Sequence, residues 1–239
     1  MGWQGYQAHG PGAILIDADQ AVPGPLWEGG ITPGLYITRS LLKERGLVAE
    51  ELSNKILSAL DEIETGLPLG EGEDIHEAIE AAVIARVGPE GGRMHTGRSR
   101  NDEVATCIRL ALREELLGLM AEELSFIRTL LRLAGEHKES IIPGFTHTQH
   151  AQPTTLAHHL LAHADAAFRD LARLKDAYKR VNQSPLGAAA FASTGFQIDR
   201  ARTCELLGFE GLVENSMDAV SSRDFILEVL AALSIAMVN

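Results

Sequence analysis

With 239 residues and 45% hydrophobic content, the chain can bury a substantial core, as one main domain with a smaller N-terminal part. Lysine and arginine total 21 against 33 acidic residues, and a formal net charge of -12 repels the phosphates that dominate nucleic-acid affinity, so no nucleic-acid partner is expected. Cys107 and Cys204 fall in helical-looking segments without ligand spacing, which favours a reducing compartment, the cytoplasm, over a disulfide framework.

The opening stretch MGWQGYQAHGPGAILIDADQ lacks a basic region followed by an apolar run, so it does not read as a secretory signal. Residues 1–34 are rich in Gly and Pro without periodicity and are expected to be an irregular arm. Residues 35–100 read as a small helical domain. Leu41, Leu42, Leu47, Leu52, Ile56, Leu60 and Ile63 keep helical spacing from Ser40 to Glu64, and TGLPLGEGED breaks the pattern. Asp74 begins a second helix that runs through Ile75, Ile79, Val83 and Val87 and ends at VGPEGG.

Residues 101–239 read as part of a central bundle of long helices. Val104, Ile108, Leu112, Leu116, Leu119, Leu124, Ile127, Leu131 and Ala134 track one face from Asn101 to His137, about 37 residues or roughly 55 Å of helix. A second run follows Pro153, a favoured first-turn residue, and carries Leu156, Leu160, Ala164, Phe168, Leu171, Leu174, Tyr178 and Val181 on one side. A third starts near Asn215 or Ser216 and is apolar almost all round from Phe225 to Val238. That stretch, interrupted by Glu228, is too short to span a bilayer, which needs about 20 residues, so no membrane partner is expected. Strand-like alternation is absent from this reading, and the fold class expected is all-α, a long-helix bundle. Three long helices in one short chain leave apolar faces uncovered, so self-association is expected.

Two segments ahead of the long helices concentrate hydrogen-bonding groups. In MHTGRSRNDEVATCIRL, Arg98, Ser99, Arg100 and Asn101 gather at a helix N-terminus, where backbone N–H groups and the positive dipole end favour a carboxylate. The alternative is that Ser99, Asn101 or Asp102 only caps the helix while the arginines are solvated. In PGFTHTQHAQPTT, read as a loop, His147 follows Thr146 and offers a titratable imidazole beside neutral donors, suited to general acid or base work. An ordinary loop histidine is the competing reading. His159 and His163, with His150 and His158 nearby, have a spacing that can present two imidazoles to one ion. No glutamate follows the first histidine, and no cysteine or carboxylate completes a closed set, so polar helix faces are the preferred explanation and no metal is expected. NQSPLGAAAFASTGFQIDR, from Asn182 to Arg200, is dominated by small residues that allow close backbone approach to a ligand or a helix. ENSMDAVSSRDF, from Glu214 to Phe225, reads as a cap or as the polar wall of a site.

Together EDIHEAIE (Glu73 to Glu80), HTGRSRNDEVAT (His95 to Thr106), PGFTHTQHAQPTT, SPLGAAAFASTGFQIDR and ENSMDAVSSRDF resemble the argininosuccinate lyases of the fumarase and aspartase superfamily, in a form closest to archaeal-type members. The likeness covers about Leu41 to Asn239. It implies an all-α homotetramer around a central helical bundle and sites assembled from three subunits. The reaction implied is reversible cleavage of argininosuccinate to arginine and fumarate, the last step of arginine biosynthesis, without cofactor or metal. Ser99, Arg100 and Asn101 match the family's first substrate-binding motif, Thr146 matches a carboxylate contact in the second, and His147 matches the histidine given an acid–base role. Such chemistry needs donors fixed where charge develops on the carboxylate as the neighbouring carbon loses its proton.

Two departures stand out. The family's proton-abstracting serine lies on a loop reading Gly-Ser-Ser, then Met-Pro and a lysine-rich stretch, which is not in this sequence, so the chain alone is expected to form little fumarate. The first helix of the family has an aspartate and an Ala-His pair where this chain reads GLYITRSLLKERG. The competing readings are a truncated, inactive helical homologue with only structural or binding capacity, and a related lyase acting on another succinyl-amine substrate.

Overall fold

Apolar spacing of three and four residues becomes helix almost wherever the sequence carries it in the computed structural model, which describes residues 42–64 and 74–239. The expected arm at residues 1–34 and most of the TGLPLGEGED break lie outside the described residues.

Helix α1 (Glu50–Glu64) begins ten residues after the start expected from the leucine spacing. Gly46 takes φ 66, a left-handed conformation that glycine adopts without a Cβ clash, and its N–H donates to Lys43 O at 3.2 Å. Val48 N then donates to Leu42 O at 2.8 Å, which closes a turn where the pattern alone suggested helix. Glu50 and Glu51 occupy the first turn, where acidic side chains complement the helix dipole. Helix α2 (Ile75–Val87) starts as expected at Asp74, whose carboxylate accepts from Glu77 N at 2.8 Å. It ends at Gly88, φ 93, and a 3-10 segment follows over Pro89–His95. Ile56, Ala59, Leu60 and Ile63 of α1 pack with Ile79 and Val83 of α2 and with Met94 as one core.

Helix α3 (Arg100–Glu136) is continuous over 37 residues, about 55 Å at 1.5 Å per residue. The segment after it corrects the loop reading. Strands β1 (Ile141–Thr146) and β2 (Gln149–Thr155) form an antiparallel hairpin with Thr146 opposite Gln149 and Pro143 opposite Pro153. Alternation is weak because the hairpin is mostly exposed and has no buried face to impose it. Pro153 is therefore a strand residue, and helix α4 (Leu156–Val181) starts three residues later with Thr155 Oγ1 accepting from His158 N at 3.2 Å.

Past α4, β3 (Gln183–Ser184) and β4 (Gly211–Leu212) make a short parallel pair around helix α5 (Arg200–Leu206). The third apolar run is two helices, α6 (Ser216–Ser221) and α7 (Asp224–Val238). Asn215 caps α6, accepting from Met217 N at 2.9 Å and Asp218 N at 3.2 Å. Ser222 then turns extended, which ends α6, and its hydroxyl accepts from the Arg109 guanidinium at 3.3 Å.

The chain divides into two compact units, one comprising the residues to Glu115 with Val181–Arg223, the other Leu116–Arg180 with Asp224–Asn239. In the first, a second core joins Leu110, Leu186, Cys204, Leu207 and Phe209. Beside it the buried Arg113 donates to Asn182 Oδ1 and to the carbonyls of Leu207 and Gly208, with its guanidinium 4.9 Å from the Phe209 ring centre. In the second unit Arg180 pairs with Glu228, and Asn239 Nδ2 donates to both carboxylate oxygens of the buried Asp170, which ties α7 to α4. The architecture is mainly helical, with only short two-stranded sheets among the described residues.

Candidate active site

The first group of candidate residues sits at the start of α3. Ser99 Oγ accepts from Asn101 N at 3.3 Å while Asp102 Oδ1 accepts from Ser99 N at 2.9 Å, a capping box closed by aspartate. The other oxygen of Asp102 accepts from Gly187 N and Ala189 N, each at 2.9 Å, and Asn101 Nδ2 donates to Ala190 O at 2.9 Å. The small-residue segment thus wraps the helix start. Gly187 is required there, because at φ 89 a Cβ would stand 2.6 Å from Arg200 Cγ. Burial raises the pKa of Asp102, opposed by the N–H groups of Ser99, Ala189 and Gly187. Arg100 reaches Asp74 at 3.2 Å and Glu77 at 3.6 Å on α2. Ser99 therefore does cap the helix, yet its hydroxyl accepts in that bond and keeps its own O–H to donate.

Behind this helix start lies a cluster of which motif reading singled out only Arg98, and there for a bound carboxylate, not for Glu103. Glu103, 4% exposed, pairs with Arg98 at 2.9 Å and lies 3.4 Å from His76 Nδ1 and 3.9 Å from His95 Nδ1. His95 Nδ1 also stands 3.7 Å from Glu80. These side chains, with Leu60, Ile79 and Met94, line a cavity of about 10 Å³, close to the room one water occupies. Arg98 Nε is buried without a hydrogen-bond partner. Burial lowers the pKa of His76, opposed first by the nearby Glu103 carboxylate. The only sequence signal was the density of acids and histidines in EDIHEAIE and HTGRSRNDE, which does not say that they meet.

The second group lies on the hairpin of the other unit. His147 and Thr148 occupy its two-residue turn at φ 50 and φ 61, with neither position a glycine. Such a turn ordinarily uses Asn-Gly, and left-handed backbone costs about 1–2 kcal/mol per non-glycine residue. Thr148 Oγ1 donates to His147 O at 2.6 Å, which stabilises the turn locally. Below it Phe145 and His150 pair across the strands with ring centres 4.8 Å apart. A bulge falls between Pro143 and Phe145, where a Cβ on Gly144 would lie 2.6 Å from Gln152 O. Thr146 and His147 are both exposed at the tip. The structure thus gathers Ser99, Arg100 and Asn101 at one helix start and Thr146 with His147 on one turn, and the two groups belong to different units.

Elsewhere His159 and His163 meet edge to face on α4, ring centres 4.9 Å apart, and no group of three or more potential metal ligands occurs among the described residues. In the Glu214–Phe225 segment, Arg223 bonds the carbonyls of Val220 and Ser222, so it is spent on its own helix end. No helix among the described residues is long and apolar enough to cross a membrane.

The sequence profile of a family described as Lyase matches residues 24–239. The argininosuccinate lyase of Methanothrix thermoacetophila is 71% identical over 201 residues, covering 83% of this chain and 41% of that protein. The argininosuccinate lyase of Methanosarcina mazei is 60% identical over 203 residues, again covering 83% and 41%. The chain thus spans about two fifths of the length of these curated relatives. Among solved structures, EDDS lyase in complex with formate superposes with a TM-score of 0.81 at 32% identity, covering 97% of this chain and 47% of that one, and a variant of the same enzyme carries bound fumarate. Class II fumarase from Schistosoma mansoni shares the fold, with a TM-score of 0.74 at 16% identity, covering 89% of this chain and 53% of that one.

Proposed function

This chain belongs to the lyase family, within the fumarase and aspartase superfamily, and on that premise we propose that its protein cleaves argininosuccinate to arginine and fumarate. Ser99, Arg100 and Asn101 bind one carboxylate of the succinyl half at the positive end of α3. Thr146 donates to the second carboxylate, and His147 handles a proton as acid or base. A base removes the proton from the carbon beside one carboxylate, the electron pair forms the carbon–carbon double bond, and the C–N bond breaks. The leaving guanidinium nitrogen takes a proton, which gives arginine, and the succinyl carbons leave as fumarate. No cofactor takes part in this scheme.

The observation that carries the proposal is the turn at His147 and Thr148. Two consecutive non-glycine residues held in left-handed backbone at an exposed tip contribute nothing to a core, and strain of that kind clusters at functional sites. The fumarate bound in the EDDS lyase variant supports the dicarboxylate class of ligand. Exposed apolar side chains on α3, α4 and α7, among them Phe126, Phe168 and Leu227, support a homotetramer in which neighbouring copies cover them and contribute to shared sites. Cys107 and Cys204, buried and outside any disulfide, support a cytoplasmic location.

The test is a chimera in which residues 41–239 replace the matching segment of the Methanothrix relative, with fumarate followed by its ultraviolet absorbance. Turnover of argininosuccinate is expected, and His147→Asn is expected to lower kcat by about 10²–10⁴-fold. A folded but inert chimera, or one indifferent to His147→Asn, would overturn the assignment.

A further inference from the structure

The buried cluster behind α3 bears directly on the residues that precede it in the chain. Arg98 immediately precedes Ser99, and Glu103 follows Asn101 by two positions. The ion pair between Arg98 and Glu103, at 2.9 Å and nearly excluded from water, therefore closes a short loop around Ser99, Arg100 and Asn101. Glu103 N also donates to Ser99 O at 3.2 Å, so the same residue holds that loop by backbone and by side chain. One carboxylate oxygen of Glu103 serves Arg98, and the other faces His76 Nδ1 at 3.4 Å.

We propose that His76 is a positioning residue, which acts through Glu103 and Arg98 to fix the Ser99–Asn101 segment in its ligand-ready shape and to release it when the His76 ring gains a proton. Neutral His76 stands 3.4 Å from Glu103 without a charge of its own and leaves that carboxylate able to hold Arg98. Protonated His76 draws Glu103 toward itself as a charged partner, so the hold on Arg98 is shared and the bracket loosens. The groups facing His76 support such coupling. From α3 come Glu103 and Arg100, from the turn before it Arg98, from the 3-10 segment His95, and from its own helix Asp74 and Glu80, while α1 contributes the apolar Leu60. Burial holds His76 neutral under ordinary conditions, which keeps the bracket closed there.

The importance of the bracket for binding rests on the reading of Ser99, Arg100 and Asn101 as a carboxylate site, whereas the bracket itself does not. The experiment is a nitrogen-15 and ring-proton titration of the full chain, followed by magnetic resonance from neutral pH downward. The amide signals of Ser99 and Asn101 are expected to move with the same midpoint as the His76 ring. His76→Gln is expected to abolish that movement with the remaining spectrum preserved, and His95→Gln to leave it in place. Amides that ignore the His76 midpoint in the unaltered chain, or that still titrate in His76→Gln, would overturn the proposal. Fumarate added at neutral pH separates the two readings: if it leaves Ser99 and Asn101 unmoved although they follow His76, the dicarboxylate reading fails and the positioning role stands.

Discussion

Asp102 and Ala189 lie 87 residues apart in sequence and meet at 2.9 Å, where the carboxylate takes the backbone N–H. The same oxygen takes Gly187 N and the other takes Ser99 N, so one buried side chain joins the capping of α3 to the small-residue segment that wraps it. Asp102→Ala would leave three N–H donors without that acceptor. An unsatisfied buried donor costs about 1–3 kcal/mol, and water entering the gap recovers part of it, so a loss of roughly 3 kcal/mol is expected. Urea unfolding of the two proteins measures it. A loss near zero would mean that the carboxylate is dispensable to the loop.

His76 gives the stability a pH dependence whose sign follows from burial. Its pKa in the folded chain lies below the ordinary value, so the unfolded chain binds the proton more readily. The contribution is complete above the ordinary histidine range, about pH 6.5, and is lost as pH falls from there toward the depressed folded value. Compared with His76→Gln, the unaltered chain is expected to lose stability more steeply on acidification through that window, by up to about 1.4 kcal/mol per pH unit. Denaturant midpoints at a series of pH values check this, and parallel curves for the two proteins would contradict it.

The elements that sequence made legible are those whose signal is local and periodic. The span of α3 followed from the spacing of Val104 through Ala134, and the start of α2 from Asp74 ahead of Ile75. The hairpin was hidden because Ile141–Thr155 is mostly exposed, and its turn uses His147 and Thr148 where a legible hairpin turn carries glycine. At the break between α6 and α7, Ser222 is held by Arg109, more than a hundred residues away, a contact that no local pattern shows. The same limit applies to the candidate site. Ser99, Arg100, Asn101, Thr146 and His147 stood in motifs, whereas the meeting of His76, Arg98 and Glu103 depends on α1, α2 and the 3-10 segment packing around Met94.

The hairpin turn offers a test of strain. Thr148 is β-branched and sits at φ 61, where glycine carries no Cβ penalty. Thr148→Gly removes about 1–2 kcal/mol of strain but frees the unfolded chain and deletes the bond to His147 O, so a net gain of about 0.5 kcal/mol is expected. Thermal unfolding would register it as a small rise in Tm. A fall would show that the turn is favoured by its own side chains and is not held against strain.

Helix α7 carries the last prediction. Leu227 is 67% exposed and Met237 86%, and Leu230 and Ile235 are also exposed on the same short helix. Its inner residues Phe225, Val229 and Ala232 are already buried, so the exposed set is additional apolar surface and not the packing face of a lone unit. Each large apolar side chain left in water forgoes about 1.5–3 kcal/mol of burial, so several together drive association when a complementary face is present. The chain is expected to scatter light as an oligomer, and the double substitution Leu227→Glu with Leu230→Glu is expected to shift it toward smaller species. The side chains of Arg180 and Glu228, paired between α4 and α7, remain in that variant and keep the helix docked, so loss of assembly without loss of helical signal separates interface from fold. A chain that scatters as a monomer before any substitution would remove the basis for the proposed shared site.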